Sequence, residues 1–244
     1  METVQWSLWV IGGLLLVVAF ACGQYNADRT RHSIRSLLML TSALLVVMAA
    51  LFWLGAARNT PLSSFSLFIA FGMAASFVGD LIMAEYIRTP QRVVFGIAAF
   101  GLAHLLYITG YLGAVQALNL KLEAAGWGLA AGFVILGLGL WFTAVRSSEV
   151  SPALNYGALG YSLLLAAMAG LAASLALASS RLWTLALGAI LFLASDTLLA
   201  HQIFRKRNWL LANDVIWVLY ISGQALIVWS NMPALRLLNP GGAG

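Results

Sequence analysis

Eight apolar runs, each long enough to cross a bilayer, follow one another along this chain of 244 residues. They occupy about 4–23, 36–56, 64–86, 93–115, 125–145, 156–178, 182–204 and 210–231. About 20 helical residues rise through a hydrocarbon core of ~30 Å. Lipid offers no water to a backbone, so each run must close its own hydrogen bonds as a helix. None alternates as a barrel strand does. The fold class is therefore all-α, an integral membrane bundle of eight transmembrane helices. It forms one domain over residues 1–238, followed by a tail, 239–244, expected to be disordered. The charge content agrees: 9% of residues are charged, against about 25% in a soluble domain.

The first run is too long and too rich in tryptophan for a clear signal peptide. Trp6, Trp9, Trp183 and Trp209 stand near span ends, where amphipathic rings anchor at the interface. Cys22 is the only cysteine, which excludes an internal disulfide and a cysteine-based metal cluster. The net charge of +5 is spread over short loops rather than gathered as a nucleic-acid footprint. The loops after spans 1, 3, 5 and 7 hold nine basic residues: Arg29, Arg31, Arg35, Arg88, Arg92, Arg146, Arg205, Lys206 and Arg207. The opposite side holds four: Arg58, Lys121, Arg181 and Arg236. The positive-inside rule puts the nine in the cytoplasm and both termini on the other side of the cell membrane.

Against this background two aspartates are conspicuous. Asp80 and Asp196 lie inside apolar spans, where a carboxylate is costly and marks a functional site by default. Span 3 ends in Gly79-Asp80-Leu81-Ile82-Met83-Ala84 and span 7 in Ser195-Asp196-Thr197-Leu198-Leu199-Ala200. The following spans carry Leu106-Tyr107-Ile108 and Leu219-Tyr220-Ile221, at Asp-to-Tyr spacings of 27 and 24. This reads as a weak 4+4 repeat, parallel because each unit has an even number of spans. It sets both carboxyls at similar depth, on the order of 10 Å inside their helix ends.

Other polar residues gather in the same spans. His104 and Tyr107 are an i, i+3 pair in span 4, and Tyr220 and Gln224 an i, i+4 pair in span 8. Glu85, His201, Asn213 and Asp214 fall at the cytoplasmic boundary as interfacial residues or the rim of a headgroup site. Arg88, Arg92 and Arg205 to Arg207 read as topology and lipid-surface charges. The chain has no Gly-rich phosphate loop, no Gly-x-Ser-x-Gly elbow and no His-Glu-x-x-His. Its lysines, Lys121 and Lys206, are in loops, which excludes a retinal Schiff base. Asp80, Asp196, His104 and His201 lack the i, i+3 or i, i+4 spacing of helical metal ligands. A carboxyl dyad remains. Two carboxyls close together in a dry site cannot both ionise easily, so the pair holds one proton and supplies an acid and a base at once.

At these residues the chain resembles the YhhN-like family of multi-pass membrane proteins, the lysoplasmalogenases. The resemblance rests on Gly79-Asp80-Leu81-Ile82-Met83, on Phe100-Gly101-Leu102-Ala103-His104-Leu105-Leu106-Tyr107, on Ser195-Asp196-Thr197-Leu198-Leu199-Ala200, and on Tyr220 with Gln224. Where the family has a Lys-Pro-like pair before span 2, this chain has Arg35-Ser36, so the resemblance assigns that loop no headgroup role. It implies hydrolysis of the vinyl ether bond of lysoplasmalogens to a fatty aldehyde and glycerophosphoethanolamine or glycerophosphocholine. Asp80 and Asp196 would be catalytic, with His104, Tyr107, Tyr220 and Gln224 orienting them, Glu85 and Asp214 nearby, and no metal or organic cofactor required. The partners implied are the lysophospholipid substrate and membrane lipids, with no nucleic acid and no protein partner. The alternative is a lipid or small-molecule transporter using the same intramembrane polar residues, and a third reading is a non-catalytic scaffold. The dyad requires that the two side chains face one cavity.

Overall fold

The computed structural model describes residues 2–25 and 31–238. Arg29 and the tail 239–244 lie outside the described residues, as does the Trp6 side chain. The helices are α1 (Glu2–Ala21), α2 (Arg35–Phe52), α3 (Ser63–Met83), α4 (Arg92–Ala117), α5 (Ala124–Leu140), α6 (Pro152–Ala178), α7 (Trp183–Arg205), α8 (Ala212–Trp229) and the short α9 (Asn231–Leu238). One turn of π-helix closes α2 (Trp53–Ala57) and α5 (Trp141–Val145).

Seven of the described segments are long and apolar enough to span a membrane, which makes this a multi-pass membrane protein. Of α1, the eighth expected span, the apolar stretch among the described side chains is Ser7–Ala21. The all-α reading missed a two-residue antiparallel ladder, β1 (Gln24–Tyr25) with β2 (Arg31–His32). A strand this short leaves no hydrophobic period to read.

Neighbours in sequence pack as antiparallel pairs, α3 on α4, α5 on α6 and α7 on α8. The largest core is shared by α2, α3, α4, α6, α7 and α8, with Phe52, Phe65, Met73, Tyr107, Tyr111, Met168 and Phe192 fully enclosed. In α5 only Gly126 and Gly137 are buried, so that helix lies at the periphery. Large apolar side chains such as Leu14, Val17, Ile135, Phe142 and Leu177 face outward. That surface suits hydrocarbon rather than water.

Small residues set how closely the helices approach, because lipid supplies no hydrophobic force between them. The crossing of α7 and α8 is made by Gly188 and Gly223. A Cβ at Gly188 would lie 2.7 Å from the Gly223 carbonyl oxygen and 3.0 Å from the Ile227 nitrogen. This contact draws Phe192 of α7 against Tyr220 of α8, with ring centroids 5.2 Å apart.

Candidate active site

A buried carboxyl needs hydrogen-bond partners, and the bundle supplies them from neighbouring helices. Asp80 of α3 is buried. Its Oδ2 accepts from Ser42 Oγ of α2 and, at 2.8 Å, from the Tyr220 hydroxyl of α8. Behind Tyr220 runs a polar chain. Gln224 Nε2 donates to the Tyr220 oxygen at 3.4 Å, and Tyr107 of α4 donates to Gln224 Oε1 at 2.7 Å.

Asp196 of α7 is half-buried and accepts from the Tyr161 hydroxyl of α6. That oxygen is also 3.0 Å from His104 Nε2 of α4. A phenol has one proton; where an ionised Asp196 receives it, His104 donates through Nε2–H. His104 Nδ1 is buried and has no hydrogen-bond partner among the described residues. His104 is wedged between Tyr161 and Phe192, at ring distances of 5.2 and 4.9 Å.

Both aspartates line one cavity of about 350 Å³ enclosed by α2, α3, α4, α7 and α8. Phe100, Trp217 and Tyr220 wall its interior. It reaches the bundle end where α2, α4 and α8 begin and α3 and α7 stop. Ser33, Arg35, Arg92, Gln202, Asn213 and Asp214 stand there. A second, almost wholly apolar cleft adjoins it between α4, α5, α6 and α7. Asp196, Phe100 and Met83 belong to both spaces. The arrangement offers two carboxyls, a polar approach from one end of the bundle, and an apolar slot beside one of them.

Of the residues singled out from sequence, Asp80, Asp196 and Tyr220 face the cavity together. Gln224 bonds Tyr220 directly, while Tyr107 acts through Gln224 and His104 through Tyr161. Glu85 is exposed and pairs with Arg92 of the cavity wall, but does not itself line the cavity. Asp214 is on the wall, but its oxygens are occupied by Arg31 and by Ser33 Oγ (2.6 Å), which pin the β1–β2 ladder to α8. His201 bonds the Ala144 carbonyl oxygen (3.0 Å) rather than an aspartate.

Two residues in direct contact with the carboxyls, Ser42 and Tyr161, escaped the sequence reading. Tyr161 lies near the start of span 6. A depth count would have found it. Tyr161 follows the first residue of α6, Pro152, by nine positions, and Asp196 precedes the last residue of α7, Arg205, by nine. Antiparallel neighbours therefore hold the two side chains level. Arg35 and Arg92, read as loop charges, also stand on the cavity wall.

No curated protein and no solved structure matches the chain. The sequence model of the YhhN family matches residues 34–231, which include every helix that lines the cavity. The chain belongs to the YhhN family.

Proposed function

We propose that this protein is a membrane-embedded hydrolase that cleaves the vinyl ether bond of lysoplasmalogens. The products are a fatty aldehyde and glycerophosphoethanolamine or glycerophosphocholine. The observation that carries the reading is that Asp80 and Asp196, from helices far apart in sequence, line the same cavity. Membership in a family that includes lysoplasmalogenases supports the choice of bond.

The chemistry needs one acid and one base. A protonated aspartate transfers its proton to the outer vinyl carbon, leaving an oxocarbenium ion. The ionised aspartate stabilises that cation and takes a proton from water as the water adds, as paired carboxylates do for glycosides. The resulting hemiacetal breaks its bond to the glycerol oxygen, which leaves as the alcohol, and the aldehyde is released. One water is consumed, and the protons return to the pair. Ser42, Tyr220 and Tyr161 hold the carboxyls; Gln224 holds the Tyr220 hydroxyl, His104 the Tyr161 hydroxyl, and Tyr107 holds Gln224. The apolar cleft beside Asp196 suits one alkenyl chain.

Two features support a 4+4 relation. Each aspartate accepts a hydroxyl from the helix before its own, Ser42 of α2 for Asp80 and Tyr161 of α6 for Asp196. The α3–α4 pairing also matches α7–α8. With the basic loops inside, the cavity mouth faces the cytoplasm and both termini face away.

A lipid transporter would need a route past the aspartates to the other face. The bundle beyond them is filled by Phe65, Met73, Tyr107, Tyr111 and Met168, all fully buried, which favours the enzyme. The test is release of fatty aldehyde from a lysoplasmalogen by the purified protein. Transport of intact lipid across vesicles without aldehyde would replace this reading with the transporter.

A further inference from the structure

We propose that Arg35 and Arg92 form an anion site at the cavity mouth that grips the phosphate of a single-chain lipid. The inference rests on the catalytic reading for the identity of the lipid, but not for the existence of the site. Both arginines stand on the wall of the cavity that holds the two aspartates. Arg35 has no carboxylate partner among the described residues, and Arg92 has only the exposed Glu85. An exposed pair of that kind contributes little and yields to a better ligand. Arginine is suited to phosphate because its planar fork matches two oxygens at once.

The backbone points the same way. Arg35 opens α2 and Arg92 opens α4, so two helix N-termini meet this mouth. Neither has a side-chain cap or an acidic residue in its first turn. Their first N–H groups lack intrahelical acceptors and present partial positive charge. The third helix that begins here, α8, differs: Asp214 sits in its first turn and is itself neutralised by Arg31. The positive field is thus concentrated at Arg35 and Arg92. Deeper in, the carboxyls of Asp80 and Asp196 repel an anion and confine it to the mouth.

The spacing fits a glycerophospholipid. Asp80 lies three residues before the end of α3, a rise of about 5 Å. The three-carbon glycerol that separates a phosphate from a 1-linked ether spans a similar length. A phosphate held at the level where α3 ends therefore leaves the ether near the depth of Asp80.

The experiment measures binding to the full-length protein in a maltoside detergent, which carries no phosphate. The probes are an acyl lysophosphatidylethanolamine, which has no vinyl ether to cleave, and a monoacylglycerol of the same chain. The double variant Arg35→Gln/Arg92→Gln should bind the lysophospholipid on the order of tenfold to a hundredfold more weakly. Its affinity for the monoacylglycerol should stay within about twofold, which also reports that the bundle is intact. Arg88→Gln, in the same loop but off the cavity wall, should bind both probes as the wild type does. Equal loss for both lipids, or none for the lysophospholipid, overturns the site. So does an outcome in which the variant loses inorganic phosphate binding while lysophospholipid affinity is unchanged, since the site would then serve a free anion. Because no step depends on turnover, failure here is distinct from failure of the aldehyde assay.

Discussion

The Tyr161 hydroxyl joins Asp196 to His104, and Tyr161→Phe removes that one oxygen while keeping the ring. That oxygen makes the one hydrogen bond Asp196 has among the described residues and the one bond His104 has through Nε2. A hydrogen bond to an ionised group contributes about 1.5–3 kcal/mol. If Asp196 is held for catalysis by Tyr161, that loss lowers kcat by roughly ten- to a hundredfold, at ~1.4 kcal/mol per factor of ten. His104 is fully enclosed, so water cannot replace the lost partner there. The buried imidazole then has no partner on either nitrogen, at a cost to stability of about 1–3 kcal/mol. The two effects separate in a double-mutant cycle. In a His104→Phe background, Tyr161→Phe should still reduce kcat for aldehyde release, but thermal unfolding in detergent should shift much less than in the wild-type background. A Tyr161→Phe enzyme with kcat within about twofold of wild type would refute the claim that this hydroxyl positions the catalytic carboxyl.

Three further outcomes follow from the packing. Gly188→Val places side-chain atoms where the Gly223 carbonyl would be 2.7 Å from the first carbon, so α7 and α8 must separate; overpacking of about 1–3 kcal/mol should lower the unfolding temperature and, by moving Tyr220 away from Asp80, the activity. Ala158→Phe fills the apolar cleft beside Asp196 and should shift the preferred alkenyl chain to shorter lengths, read from kcat/KM across a chain-length series; an unchanged series would put the chain elsewhere. Asp214→Ala removes the acceptor of Arg31 and Ser33 and should loosen the β1–β2 ladder, seen as faster amide exchange there at nearly normal kcat.

The transmembrane scaffold was legible because lipid enforces it. Long uncharged runs have one solution, and the seven longest appear within a few residues of where hydropathy puts them. The carboxyls were legible for the same reason, since nothing else explains an aspartate in a span. Tyr220 and Gln224 were recognisable as an i, i+4 pair on one helix. What lay beyond reading were partners from other helices. Ser42 and Tyr161 are unexceptional in their own spans and acquire meaning only when antiparallel packing sets them level with Asp80 and Asp196. Arg35 and Arg92 count toward orientation in sequence, and only the tertiary fold shows that they stand over a cavity. Glu85, read as part of the site, sits at the end of α3 with a left-handed backbone (φ 66) that turns it outward to Arg92.

The most direct test of the central claim is aldehyde release from a lysoplasmalogen by purified wild-type protein, Asp80→Asn and Asp196→Asn, with folding checked by thermal unfolding. Asparagine keeps the shape of each side chain but neither donates the acid proton nor accepts one as a base. Loss of either role in general acid–base catalysis costs on the order of a hundredfold or more. The account predicts turnover by the wild type and a loss of at least that size in each variant, with both still folded. Wild-type turnover that persists in either folded variant would contradict the proton-sharing pair.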